Sequence, residues 1–469
     1  MVGRRTIAWS AVAVVSVALG FAIAAVHTTS KHETAPVGPV PTAPSVLALG
    51  SAAPLRPSAT QQQATPGATS VRRYGASGRG DRNDTRAFEA AMAAARSSNV
   101  RFAQGPLGPQ AVVAVPPGTY RLWGLRFRNG VRLEVAAGAV LEPTKNSTAG
   151  SNPGDPRALI VWNGPPARPL TNVSIVGVGK NLHVAKGRTA RVEPGWDLSH
   201  SFVFDLDASR TGGSNILGAM QLYNVRGFLI ENVFSVQNGS ADSGVGPHGY
   251  ASPTSSRAVI TLEPNSESPK SGPFYDPQNG VIMNHYNIGG PPGYGPNQVT
   301  SAHNVTFDRI FSSGGTVLRL ETDATLGKPF GGEIRGLVAR HIVGVNCNRA
   351  VAFEPHAQRN RDVHVFDVVA RSCQQGVIES KDESLPSDER GNFTDSSVSG
   401  VRVIAGMGAQ LPASGVAGTW PVGRSLQPFA RDQGTAWIVA YTNVRCAGQF
   451  TKRSDPIDIN GAFAVPACR

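Results

Sequence analysis

Charged side chains are scarce in this chain: Lys, Arg, Asp and Glu make up 16% of its 469 residues. That scarcity argues against long solvent-facing helices, and the abundance of glycine (53) and proline (35) favours many short strands joined by turns. Cysteines number only four. No C-x-x-C and no His/Cys spacing accompanies them, so nothing points to a zinc site. Acidic residues (32) fall short of basic ones (44), which leaves a formal charge of +12. Arginine greatly outnumbers lysine. An anionic partner fits that balance, whether nucleic acid, an anionic surface or an acidic polysaccharide. The length permits one large core with accessory segments.

The N-terminus reads as an export signal. Arg4 and Arg5 precede an apolar run from Ile7 to Val26 that contains Ala22-Ile23-Ala24, a small-x-small cleavage pattern. Cleavage near Ala24 is expected, with an uncleaved membrane anchor over residues 1–26 as the alternative. Either way the protein is placed outside the cell or on its surface. Residues 27–70 are rich in Pro, Ala, Ser, Thr and Gln with little periodicity, and read as a disordered linker.

Folded sequence is expected from Val71, with a strand near Val71-Arg72-Arg73-Tyr74, then Gly80-Asp81-Arg82-Asn83-Asp84-Thr85. Asp84 is placed to cap a helix whose apolar face is Phe88, Ala91, Met92 and Ala95. Strands follow at Val112 to Val115 and Val131 to Val135, with the turn Pro116-Pro117-Gly118 after the first of them. This order resembles the N-terminal cap and first coils of the pectate-lyase-like right-handed β-helices.

A short pattern with apolar ends then recurs, as in Asn172-Val173-Ser174-Ile175, Phe228-Leu229-Ile230, Asn304-Val305-Thr306-Phe307, Leu337-Val338-Ala339 and Val363-His364-Val365. Equivalent positions Val305, Leu337 and Val363 lie roughly thirty residues apart, a repeat length that suits solenoid coils. The fold class is therefore all-β, a parallel β-helix over 71–410, with 411–469 as a C-terminal cap or small strand-rich appendage. Residues Ser252 to Gly290, rich in Pro, Ser and Gly, read as a long loop. On this alignment Cys347 and Cys373 each lie five residues past the equivalent positions Ile342 and Val368. Stacked strands are about 4.8 Å apart, within reach of a disulfide, so these two are expected to bridge adjacent coils. Cys446 and Cys468 would then pair with each other.

The segment Leu318-Arg319-Leu320-Glu321-Thr322-Asp323 alternates apolar and polar residues, so on a strand Leu318, Leu320 and Thr322 face the core while Arg319, Glu321 and Asp323 share the outer face. Two carboxyl groups so placed suit glycoside hydrolysis, which needs one protonated acid and one ionised base or nucleophile. A general acid must hold its proton near neutrality, which a second carboxylate favours and a cation opposes. Glu321, Glu354 and Glu379 lie eleven, twelve and eleven residues past Ile310, Ile342 and Val368, and are expected to form a stacked outer row. His356, two residues past Glu354, is expected beside Asp323. Gln298 belongs to the coil before Glu321.

The set Gly293-Tyr294-Gly295-x-x-Gln298, Arg319-Leu320-Glu321-Thr322-Asp323 and His356 resembles the iota-carrageenases of glycoside hydrolase family 82. The resemblance implies a β-helix that cleaves β-1,4 linkages of a sulfated galactan with inversion. It makes Glu321 the general acid and Asp323 the general base, gives Gln298 the catalytic water, and leaves His356 to assist or to bind substrate. Arg319, Arg359, Arg361 and Tyr294 are candidates for substrate contact, arginine's planar fork being suited to sulfate oxygens. No cofactor is required for such chemistry. The implied partner is an anionic polysaccharide rather than nucleic acid, a membrane enters only if residues 1–26 stay attached, and the chain is expected to be a monomer. Asn-Thr-Asp, Gly-His-Gly and Arg-Ile-Lys segments, expected of polygalacturonases, are missing, as is an aspartate cluster suited to a calcium-assisted lyase. A β-helix enzyme for another acidic glycan and a non-catalytic cell-surface glycan-binding protein remain the alternatives.

Overall fold

The computed structural model describes residues 63–102, 107–144, 158–162, 168–184, 197–206, 218–237, 258–262, 264, 275–276, 281–282, 301–322, 332–345, 347–355, 359–379, 391–405, 427–431, 439–450, 453–459 and 462–466. The chain engages the fold from Thr65, whose backbone N–H donates to Glu134 Oε2 at 2.7 Å. Thr69–Ser70 then pairs in parallel with the strand Gln110–Val115. The strand expected at Val71 is instead a short 3₁₀ turn, Val71–Tyr74, because Ser70 caps its start and Gly75 ends it in the left-handed region at φ 96°.

The predicted helix spans Thr85–Ser97 and buries Phe88, Ala91, Met92 and Ala95. Its cap differs from expectation. Asp84 occupies the N-cap position, but its Oδ1 accepts the Ser77 N–H at 2.8 Å, and Asn83 Oδ1 takes the Thr85 N–H at 2.9 Å. Asp84 thereby ties the preceding turn to the helix, while its neighbour does the capping.

Beyond the helix two parallel sheets stack coil upon coil. In the longer, the strands Val225–Val236, Ala302–Ser313, Ile334–Val345 and Arg359–Arg371 lie in register, with Val305 against Leu337, Leu337 against Val363, Ile310 against Ile342 and Ile342 against Val368. The alignment read from sequence is thus the observed one. These strands are long enough to need bends. Gly227, Asn304, Gly336 and Asp362 form one row of left-handed residues, and Asn232, Arg309, His341 and Asp367 form a second, at φ between 52° and 70°. Glycine, Asn, Asp and His tolerate that conformation, and Arg309 is held in it with its Nε donating to Asn232 Oδ1 at 2.6 Å. Two aligned bends per coil turn each strand around the core.

The shorter sheet runs through Gly218–Leu222, Ala258–Leu262, Thr316–Glu321, Arg349–Glu354, Gln375–Glu379 and Gln427–Arg431. Ala258–Leu262 lies inside the stretch that reads as a loop. Its Ala-Val-Ile-Thr-Leu run is wholly buried, and the surrounding Pro, Ser and Gly hide it from a composition reading. Between the sheets Val305, Phe307, Leu337 and Val363 meet Leu318, Leu320, Val351 and Phe353 in one apolar core, each such side chain contributing about 1.5–3 kcal/mol on burial. Phe353 and Phe393 pack edge to face, centroids 5.1 Å apart.

Cys347 and Cys373 form the expected inter-coil disulfide, with a Cα separation of 4.3 Å. Cys446 is also disulfide-bonded; Cys468 lies outside the described residues. Past residue 410 the coiling continues. Gln427–Arg431 extends the shorter sheet, Ala440–Thr442 and Arg445–Ala447 extend the longer one, and the antiparallel pair Ile457–Ile459 and Ala462–Ala464 follows. Among the described residues no helix is long and apolar enough to cross a membrane; residues 1–26 are outside them.

Candidate active site

The strand Thr316–Glu321 follows Gly314-Gly315, both at positive φ, a two-residue corner that only small residues make easily. Leu318 and Leu320 enter the core as predicted. Arg319 and Glu321 share the opposite face, where Arg319 Nη2 donates to Glu321 Oε1 at 2.9 Å. That face is not a solvated row. Glu321 is fully buried and Glu354 is 5% exposed.

Glu354 stands in register with Glu321 one coil on. Arg319 Nε donates to Glu354 Oε2 at 2.6 Å, and Arg349 Nη1 donates to Glu354 Oε1 at 2.8 Å. Two guanidinium groups and two carboxylates thus make one compact, charge-balanced cluster, with charge-assisted bonds holding each oxygen named in place. The Arg319 fork is directed at Glu321 and Glu354. Arg349 had no motif to reveal it from sequence. It reaches along its own strand to the glutamate five residues downstream.

The end of the candidate strand is held from below. Thr322, buried as expected, donates its hydroxyl to Pro355 O at 2.8 Å and accepts from Asn360 Nδ2 at 3.1 Å. Asn360 Oδ1 accepts the Ile334 N–H at 2.8 Å. One buried amide therefore ties the residue after Glu321 to the starts of the next two long strands.

Glu379 departs from the expected outer row. It pairs with Phe353, not with Glu354, and Ile378 takes the outer position against Ala352. The cause is the corner before each strand: two residues precede Thr316, but three separate Val345 from Arg349 and Arg371 from Gln375. A one-residue difference sends a side chain to the other face. Glu379 therefore points inward, where Tyr441 donates its hydroxyl to Oε1 at 2.7 Å and Arg431 Nε lies 3.7 Å from Oε2. Burial pushes the Glu379 carboxyl up to about 7 against the pull of Tyr441 and Arg431. The same burial drives the Tyr441 hydroxyl well above its ordinary value.

Of the other predicted site residues, Arg361 sits at the start of a long strand, exposed, with Nε donating to Glu333 Oε2 at 3.0 Å. Arg359 opens the same strand. Tyr294, Gln298, Asp323 and His356 lie outside the described residues. Among the described residues no group of three or more His, Cys, Asp or Glu side chains is arranged to hold a metal ion.

No family model matches the chain. The iota-carrageenase of Zobellia galactanivorans is 27% identical over 267 residues, 57% of this chain and 45% of that protein. The iota-carrageenase of Alteromonas macleodii is 25% identical over 308 residues, 65% of this chain and 50% of that protein. This chain is iota-carrageenase-like. It spans about half the length of the curated relatives it matches. The resemblance to family 82 read from the Gly-Tyr-Gly-x-x-Gln and Arg-Leu-Glu-Thr-Asp segments agrees with both relatives. Among solved structures, a protein named 1,3-alpha-1,4-beta-D-galactose-4-sulfate-3,6-anhydro-D-galactose-2-sulfate 4 galactohydrolase superposes with a TM-score of 0.50 at 18% identity, over 89% of this chain and 96% of that one. That likeness concerns the fold, and makes the iota-carrageenase-like chain a right-handed parallel β-helix.

Proposed function

We propose that the iota-carrageenase-like chain is an extracellular or cell-surface glycoside hydrolase that cleaves β-1,4 linkages within a sulfated galactan such as iota-carrageenan. The observation that carries this reading is the similarity to two iota-carrageenases over more than half of the chain. Glu321, at the outer end of its strand and oriented by Arg319, supports it. In the proposed reaction Glu321 gives its proton to the departing glycosidic oxygen. Asp323 takes a proton from a water whose oxygen bonds to the anomeric carbon from the opposite side, with inversion. Gln298 holds that water, His356 assists beside Asp323, and Tyr294, Arg359 and Arg361 contact the polymer. Arg319 is better described as a positioning residue, since its fork is engaged by Glu321 and Glu354.

One observation favours a second reading. Glu321 is wholly buried in a charge-balanced cluster, as befits a structural ion pair in a solenoid that binds glycans without cleaving them. Reducing-end release from iota-carrageenan, other sulfated galactans, pectic acids and neutral glycans separates the two. Cleavage lost in Glu321→Gln and in Asp323→Asn supports the hydrolase, and inverted anomeric configuration of the first product, seen by proton NMR, supports the roles. Full activity in either variant sinks the assignment. Binding without cleavage by the wild-type protein favours the second reading.

A further inference from the structure

The register of the longer sheet stacks four basic side chains in single file. Arg226 pairs with His303, His303 with Arg335, and Arg335 with Arg361, one per coil. The residues just before them, Val225, Ala302, Ile334 and Asn360, are buried, so the basic side chains stand on the outside. Arg226 and Arg335 are exposed and His303 is partly so. With coils about 4.8 Å apart the row is about 14 Å long. Among the described residues its carboxylate partner is Glu333, which accepts from Arg361 Nε at 3.0 Å and lies 3.3 Å from His303 Nε2. Four basic groups thus share one acid.

We propose that Arg226, His303, Arg335 and Arg361 form an accessory ridge that binds a sulfated polysaccharide strand laid along the solenoid axis, beside the candidate active site. This rests on the hydrolase reading for the identity of the polymer, but not for the existence of the ridge. Guanidinium forks match sulfate oxygens and stay charged at any working pH. The next outward row, Leu229, Thr306, Val338 and His364, is low and offers no row of aromatic faces on which nucleic-acid bases would stack. The ridge is also close to the chemistry. Arg361 directly follows Asn360, whose side chain bonds Thr322, the residue after Glu321.

His303 reports on the row. Burial lowers its imidazole below the ordinary value, Glu333 pulls it up, and the charges of Arg226 and Arg335 push it down again. An anion lying across the row offsets that repulsion and should raise the imidazole's titration point.

The test uses the full-length chain carrying Glu321→Gln, so that polymer is bound and not consumed. Affinity for iota-carrageenan is measured over a series of salt concentrations, with neutral agarose and polyuridylic acid as comparison polymers. Arg226→Gln with Arg335→Gln is expected to weaken carrageenan binding about tenfold at low salt and to flatten its salt dependence. Arg226→Lys with Arg335→Lys should restore most of that dependence, which separates lost charge from lost folding. NMR of His303 should show its titration moving up as carrageenan oligosaccharide is added. Unchanged carrageenan affinity in the Gln pair overturns the ridge, as does a loss confined to polyuridylic acid. Row-dependent binding by a wild-type protein that releases no reducing ends overturns the hydrolase alone. Cleavage by wild type combined with row-independent binding overturns the ridge alone.

Discussion

Asn360 and Thr322 are 38 residues apart in sequence and joined by a 3.1 Å hydrogen bond between buried side chains. Through it the strand that ends in Glu321 is fastened to the start of the strand Arg359–Arg371, and the Ile334 N–H finds its acceptor on the same amide. Asn360→Ala removes both bonds at once and leaves a buried donor unserved, so a loss of about 1–3 kcal/mol is expected in urea denaturation. If the candidate site is catalytic, turnover on carrageenan should fall more than KM rises, because Glu321 loses its support while polymer contacts remain. A variant with wild-type stability would show that this amide is not a structural tie.

Arg319 bonds Glu321 and Glu354 together, all three being at least largely buried. Truncating one member of such a cluster leaves charge without compensation, which costs about 3–5 kcal/mol in buried pairs. Arg319→Met should sit at the lower end of that range, since Glu354 keeps Arg349. Arg319→Lys should lose less stability but still impair any activity, because a lysine cannot serve two carboxylates from a planar fork. Guanidinium denaturation and reducing-end release on the same samples check both statements.

Glu379 gives the fold a pH dependence of definite sign. Its carboxyl is raised to about 7 in the folded chain and falls to about 4.3 when unfolded. The folded state therefore holds the proton more tightly between those values. Stability should decline as pH rises through that window, by about 3–4 kcal/mol, and level off above it. In Glu379→Gln the decline should shrink, while Tyr441 keeps an acceptor. Melting temperatures between pH 4 and 8 decide the matter, and parallel profiles for the two proteins would count against the assignment.

Cys347 and Cys373 are separated by 26 residues. A cross-link closing a loop of that size restricts the unfolded chain by about 3.5 kcal/mol in the chain-entropy model. Cys347→Ser with Cys373→Ser should lower stability by about 2–4 kcal/mol without moving the coil register, which the apolar core fixes. Both cysteines are buried, at 1% and 3% exposure, so a mild reductant should act slowly on the folded protein.

The parts of the molecule that repeat were legible in the sequence. Val305, Leu337 and Val363 recur because each coil must present an apolar group to the same core, and the Cys347–Cys373 bridge follows from their spacing. Ala258–Leu262 was not legible, since five buried residues amid proline and serine carry no alternation. Glu379 was misplaced by a single residue of corner length, a difference invisible until the strands are paired. Arg319 reaching Glu354 and Asn360 bonding Thr322 are contacts between coils, and no local pattern announces them.

Aligned bends and paired strands divide the chain into places where length is free and places where it is not. An added residue outside the paired strands and the two- or three-residue corners before them leaves every paired strand where it was. The same addition between Val305 and Ile310 pushes one bend out of its column and turns the following apolar groups to solvent. Length variation among natural homologues should therefore be confined to the connections. Any homologue that differs in length inside a strand must carry a second, compensating change before the next corner.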